Sequence, residues 1–208
     1  MPSVTRRSKP REVLPASSVE EALVGAMERL VAGGRSFTAV SVDELAREAG
    51  IARSTFYLHF RDKGELVQSL MQRLMGEVLQ AAAVWLARPV EATSEDLRAA
   101  LAGMVAAYQQ HRAVMHAMVE TAAYDAEVSR MFHEKMDFMI GQTRLAIRRV
   151  QQAGRAQPGV TADVADVLVW ALERNCHRLP ADSKPAQVAK VVDALVHVVW
   201  RSIYLDPA

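Results

Sequence analysis

Three observations predict an all-α fold: a small N-terminal three-helix domain with a helix-turn-helix, followed by a larger helical domain. Half of the 208 residues are hydrophobic, mainly Ala, Val, Leu and Met, and the chain holds only 10 Gly and 8 Pro. That composition leans helical. From Ser18 onward apolar positions recur at spacings of three and four, and no strand-like alternation competes with them. A glycine turn, "EAGIAR" at 48–53, separates two short helical segments.

The first helix starts near Ser18 and carries Ala22, Leu23, Ala26, Met27, Leu30 and Val31 on one side. The pair at 33–34, "GG", ends it, because glycine takes a left-handed C-terminal position at least cost. Phe37 then plugs the loop. In "SVDELAREAG" Ser41 and Glu44 form a capping box. Val42, Leu45, Ala46 and Ala49 make the inner face. Gly50 permits a positive φ, and Ile51 pins the turn to the core. A second short helix begins at Ala52 or Arg53. "RDKGEL" closes it, with Asp62 and Glu65 as a further capping box for a helix from Lys63 to about Trp85.

"ARPVEATSED" is a breaker-rich linker, and Ser94 caps a helix to about Gln110. A shorter helix follows "HR" at 111–112 and runs through Ala123. Asp125 opens a long one to Gln152, and Gly154 ends it. "TADVADVLVWALERNCHRL" starts at Thr161 and Asp163 and is broken at Pro180. A last helix runs from 185 to about 204. The predicted organisation is an N-terminal arm at 1–17, a helix-turn-helix domain at 18–64 and a larger helical domain at 65–208.

Totals restrict the partners. Net charge is +1, so the whole chain does not advertise a polyanion. The arm is different: Arg6, Arg7, Lys9 and Arg11 oppose the single acid Glu12. It reads either as a solvated tail or as a phosphate or minor-groove contact. Cys176 is the only cysteine, which fits a reducing compartment. Apolar runs such as "AAAVWLA" fall short of a membrane span, so a cytoplasmic protein without membrane contact is expected.

Chain chemistry concentrates in "IARSTFYLHF" at 51–60, which is rich in rings although the chain is only 6% aromatic. On a helix, Phe56 and Phe60 point to the core with Ile51 and anchor a segment too short to hold itself. Arg53, Ser54, Thr55, Tyr57 and His59 take the other sides. Such a face suits a major groove, offering donors and acceptors to base edges and hydroxyls to phosphates. Lys63, at the next helix start, adds positive charge. A plain helical corner accounts for the two phenylalanines but not for this polar set.

The stretch "SVDELAREAGIARSTFYLHFRDKGELV" resembles the signature of TetR/AcrR-family transcriptional regulators. The matching features are D-x-x-A-x-x-A-G, T-F-Y-x-H-F and K-x-E-L, within residues 20–70. "ALERN" and "LVHVVWRSIY" in the last helices are similar to the ethionamide-resistance repressor subgroup. The resemblance implies a regulator, most commonly a repressor, that leaves a palindromic operator when a small, mostly apolar ligand binds. It implies that Ser41, Arg53, Ser54, Thr55, Tyr57, His59 and Lys63 stand where family members contact double-stranded DNA. Two positions depart from the pattern: Ala52 replaces the serine that usually caps the recognition helix, and Ser54 stands where glycine is frequent.

Met104, Tyr108, Met115, Met118, Phe132, Met136 and Met139 crowd the middle helices, with Trp170 and Asn175 nearby. Methionine and aromatics at helical spacing serve a core, and methionine also serves an adaptable pocket. These nine are the candidate ligand contacts. The last two helices are apolar over wide faces and are the expected homodimer interface. An enzyme is disfavoured. Glu173 and His177 form a lone i, i+4 pair, Cys176–His177 lacks a partner with zinc spacing, and "GGRSF" at 33–37 lacks a phosphate loop's lysine. No cofactor and no metal are expected. The alternative class is a helical small-molecule-binding or protein-interaction module without DNA.

Overall fold

A computed structural model describes residues 15–180 and 182–205. The basic residues of the arm, Arg6 to Arg11, lie outside the described residues. Among those described, the chain forms α1 (Ala16–Ala32), α2 (Val42–Glu48), α3 (Arg53–His59), α4 (Lys63–Ala87), α5 (Ser94–Gln110), α6 (Arg112–Ala122), α7 (Ala126–Gln152), α8 (Val164–Arg178) and α9 (Pro185–Ile203). The first helix begins at Ala16 after Pro15, inside the segment assigned to the arm.

Helices α1 to α3 fold around Leu23, Met27, Phe37, Leu45 and Phe56, all essentially inaccessible. Phe37 fills the α1–α2 loop as expected. Gly50 has φ +69° and lets the chain reverse between α2 and α3. The Ile51 N–H then donates to the Ala46 carbonyl at 2.9 Å, closing the helix end.

The long α4 leaves this domain and packs along α5, and it also touches α6 and α7. Helix α6 contacts both α1 and α4, so it bridges the two halves of the chain. Gly103 of α5 allows the α4 approach: a Cβ there would stand 2.9 Å from the Ala81 Cβ. The C-terminal end is tied back by Tyr204. Its hydroxyl accepts from Trp85 Nε1 at 2.8 Å and donates to the Pro89 carbonyl at 2.7 Å. The Trp200 ring stacks on it at 4.2 Å.

Caps differ in detail from the sequence expectation. Thr93, not Ser94, is the N-cap of α5, and it forms a full capping box with Asp96. Asp62 accepts from the Glu65 N–H at 2.9 Å, but Glu65 accepts from the Arg61 N–H at 2.6 Å instead of returning to Asp62. Helix α4 also runs on to Ala87, past Trp85. Asp163 precedes α8 without a side-chain cap bond.

Candidate nucleic-acid interface and ligand cavity

The two short helices present a polar face whose base is fixed by capping and burial. Ser41 accepts from the Glu44 N–H at 3.2 Å, and Glu44 accepts from the Ser41 N–H at 2.9 Å. The Ser41 bonds hold the Glu44 carboxyl below the usual carboxylate range. Phe56 and Phe60 are buried, with ring centroids 5.5 Å apart, and clamp α3 to the body. Ala52 stands at the N-cap of α3 without any side-chain bond, so this helix start is bare.

Outward from that base, Arg53, Ser54 and Tyr57 are exposed. Arg53 donates to Asp43 of α2 at 2.7 Å and lies over the Tyr57 ring, 5.4 Å from its centroid. Thr55 and His59 are only half-exposed. The His59 Nε2 is buried without a hydrogen-bond partner. The sequence reading passed over Leu58, which is 69% exposed on the same short helix. Its place between Tyr57 and His59, away from both phenylalanines, was the available signal.

Lys63 is oriented against its expected role. Its ammonium donates to the carbonyls of Phe37, Thr38 and Val40 at 2.8, 3.0 and 2.6 Å. These three bonds use all its donors. Partial burial lowers its pKa below the ordinary lysine value. The residue ties the α1–α2 loop to α4 and does not stand free for a phosphate.

In the larger domain a narrow cavity of about 50 Å³ lies between α4, α5, α7 and α8. Met104, Tyr108, Met136 and Met139 line it, together with Trp85, Leu101, Thr143 and Leu172. Five candidates are elsewhere. Met115 and Met118 are core residues of α6, at 2% and 1% exposure. Phe132 packs edge-on against Trp170, 5.9 Å between centroids, away from the lining. Asn175 is exposed and donates to its own helix at the Ala171 carbonyl. Periodicity marks all of these as helical-face residues; it does not mark which ones border empty space.

Two family profiles match the chain. "Bacterial regulatory proteins, tetR family" covers residues 29–70, which contain the α2–α3 unit and the Lys63 tie. "Transcriptional regulator EthR, C-terminal domain" covers residues 97–205. The chain belongs to the TetR family of transcriptional regulators, with an EthR-type C-terminal domain. The HTH-type transcriptional regulator EthR of Mycobacterium tuberculosis is 27% identical over 197 residues, covering 93% of this chain and 91% of that protein. EthR of Mycolicibacterium smegmatis is 28% identical over 200 residues, covering 93% and 90%. The crystal structure of the TetR-family regulator PfmR from Thermus thermophilus superposes with a TM-score of 0.72 at 19% identity, covering 89% of this chain and 99% of that one. At that identity the likeness shows the fold. Among the described residues, no helix is long and apolar enough to cross a membrane.

Proposed function

We propose that this TetR-family regulator is a repressor that binds a palindromic operator as a homodimer and leaves it when a small, mostly apolar ligand enters the α4–α5–α7–α8 cavity. The observation that carries the DNA contact is the exposed face of α3: a guanidinium, hydroxyls and an apolar tip on a helix whose back is clamped by two buried rings. Arg53, Ser54, Tyr57 and Leu58 are the base-edge and backbone contacts of this reading. Ser41 and Thr55 flank them, and His59 reaches only the rim. Lys63 holds the loop that positions Ser41.

Two copies are needed because one such helix buries little DNA surface, while linked half-sites about 34 Å apart add their binding energies. Helices α8 and α9 support this with exposed Val167, Trp170 and Val198, and α7 adds Phe138 and Leu145. Drug-sized ligand sites span roughly 300–1,000 Å³. The cavity is far smaller, so an effector must part the helices, and the flexible methionines that line it permit this. Parting α4 from α7 moves the helix that carries α3.

Selection of random duplexes by the purified protein tests the reading. An enriched inverted repeat is the expected result. Recovery of no sequence preference, or of a single unrepeated half-site, contradicts it.

A further inference from the structure

A second cavity shares Tyr108 with the apolar one. Helices α5 and α8 run on past Tyr108 toward the DNA-binding domain. There Gln109, Arg112 and Cys176, with Glu28 and Val31 of α1, line this second cavity of about 470 Å³. Tyr108 borders both spaces, one helical turn beyond Met104 and just before the break that leads to Arg112 at the start of α6. It is 5% exposed, and its hydroxyl makes no hydrogen bond among the described residues.

We infer that the second chamber takes the carboxylate head of an amphiphile whose apolar tail lies in the first cavity. This rests on the ligand-binding reading above and adds a head-group chemistry to it. Arg112 donates one N–H to the Leu179 carbonyl, which leaves further donors of its fork for an anion. His116, one turn along α6, lines the same space, and its ring lies 5.4 Å from that of His177. The His177 Nδ1 is buried without a partner. Burial first, and the Arg112 charge next, hold His116 below the ordinary imidazole range. Burial, His116 and then the neighbouring guanidinia do the same to His177. Both shifts favour neutral imidazoles, so Arg112 is the positive charge that lines this space. Three acids are near. Glu28 is on the exposed rim, Glu120 is occupied by Ser36 and the Thr38 N–H, and burial pushes Glu173 toward its neutral form.

The placement has a consequence for signalling. A head group in this chamber lies beside Val31 of α1, with Glu28 turned to the exposed rim, whereas a neutral tail fills only the first cavity.

Decanoate and decan-1-ol share a tail and differ in the head, so calorimetric titration of the full chain with each separates the two parts. The parent is expected to prefer decanoate by about tenfold or more, as a charge-assisted hydrogen bond provides. Arg112→Gln and His116→Gln should each remove most of that preference while leaving decanol affinity in place. Decanoate should also raise the NMR-measured pKa values of His116 and His177, and decanol should not. Equal affinity of the parent for both probes overturns the inference and leaves the ligand-binding reading standing, as does an equal loss of both in Arg112→Gln. Binding of neither probe overturns both. Should Arg112→Gln fail to fold, the parent comparison and His116→Gln decide.

Discussion

Arg53 and Lys63 show how the same charge on adjacent elements is put to different uses. Arg53 sits in an exposed pair with Asp43, both side chains more than half accessible. Such pairs are worth about 0–1 kcal/mol, so exchanging Asp43 for a base edge or phosphate costs little. Asp43→Asn should therefore tighten operator binding a few-fold, and Arg53→Ala should relax sequence preference by about 1–3 kcal/mol at the contacted base pair. Fluorescence anisotropy at fixed salt across a set of operator variants checks both. Lys63 instead meets three carbonyls. Lys63→Met should destabilise the fold by about 1–3 kcal/mol through stranded acceptors, and the slope of log affinity against log salt should stay unchanged. A shallower slope with unaltered stability would reverse that assignment. The sequence revealed the charge at both positions. It did not reveal direction, because the partners of Lys63 lie 23 to 26 residues away on a loop.

At the scale of elements, the helix boundaries follow from capping and glycine chemistry that the sequence displays. Gly50 and the Ser41–Glu44 box were legible because each is a local pattern. The α5 cap is one residue earlier than expected: "TSED" offers Thr93 and Ser94 in succession, but only Thr93 has an acid three residues on, Asp96, to complete the box. Helix α3 is the weak point. It is seven residues long and bare at Ala52. Ala52→Ser should add an N-cap worth about 1 kcal/mol and raise the thermal midpoint. Gly64 carries a different constraint: a Cβ would stand 2.6 Å from the Asp125 Oδ2. That aspartate caps α7 by accepting from the Glu127 and Val128 N–H groups. Gly64→Ala should therefore lower stability, by about 1–3 kcal/mol, by displacing the α7 start from α4. Chemical denaturation of each variant measures these effects.

Across the whole molecule, α6 and α4 join the α1–α3 domain to the larger one. Glu120 of α6 accepts from the Ser36 hydroxyl at 2.8 Å and the Thr38 N–H at 3.1 Å, so the larger domain grips the loop that Lys63 also holds. A change in the α4–α6 packing then reaches Ser41 and α3 without any intervening flexible segment. Helical periodicity showed that the middle helices are buried, yet only four of nine candidate residues line the cavity, because voids depend on how faces meet across helices. Overfilling that space should imitate an effector: Met139→Trp is expected to weaken operator binding in the absence of ligand, at a stability cost of about 1–3 kcal/mol. The same anisotropy titration reads the affinity, and unchanged affinity would separate the cavity from the DNA site. An effector that favours the released state tenfold contributes about 1.4 kcal/mol per site to the switch.

The most direct test of the proposed DNA contact through α3 is a titration of the selected operator with the parent, Tyr57→Phe and Leu58→Asp at one salt concentration, alongside their unfolding curves. Both side chains are largely exposed, at 46% and 69%, so the curves should coincide. The account predicts a clear loss of affinity for Tyr57→Phe and near abolition of binding for Leu58→Asp. Parent-like binding by both variants would contradict it.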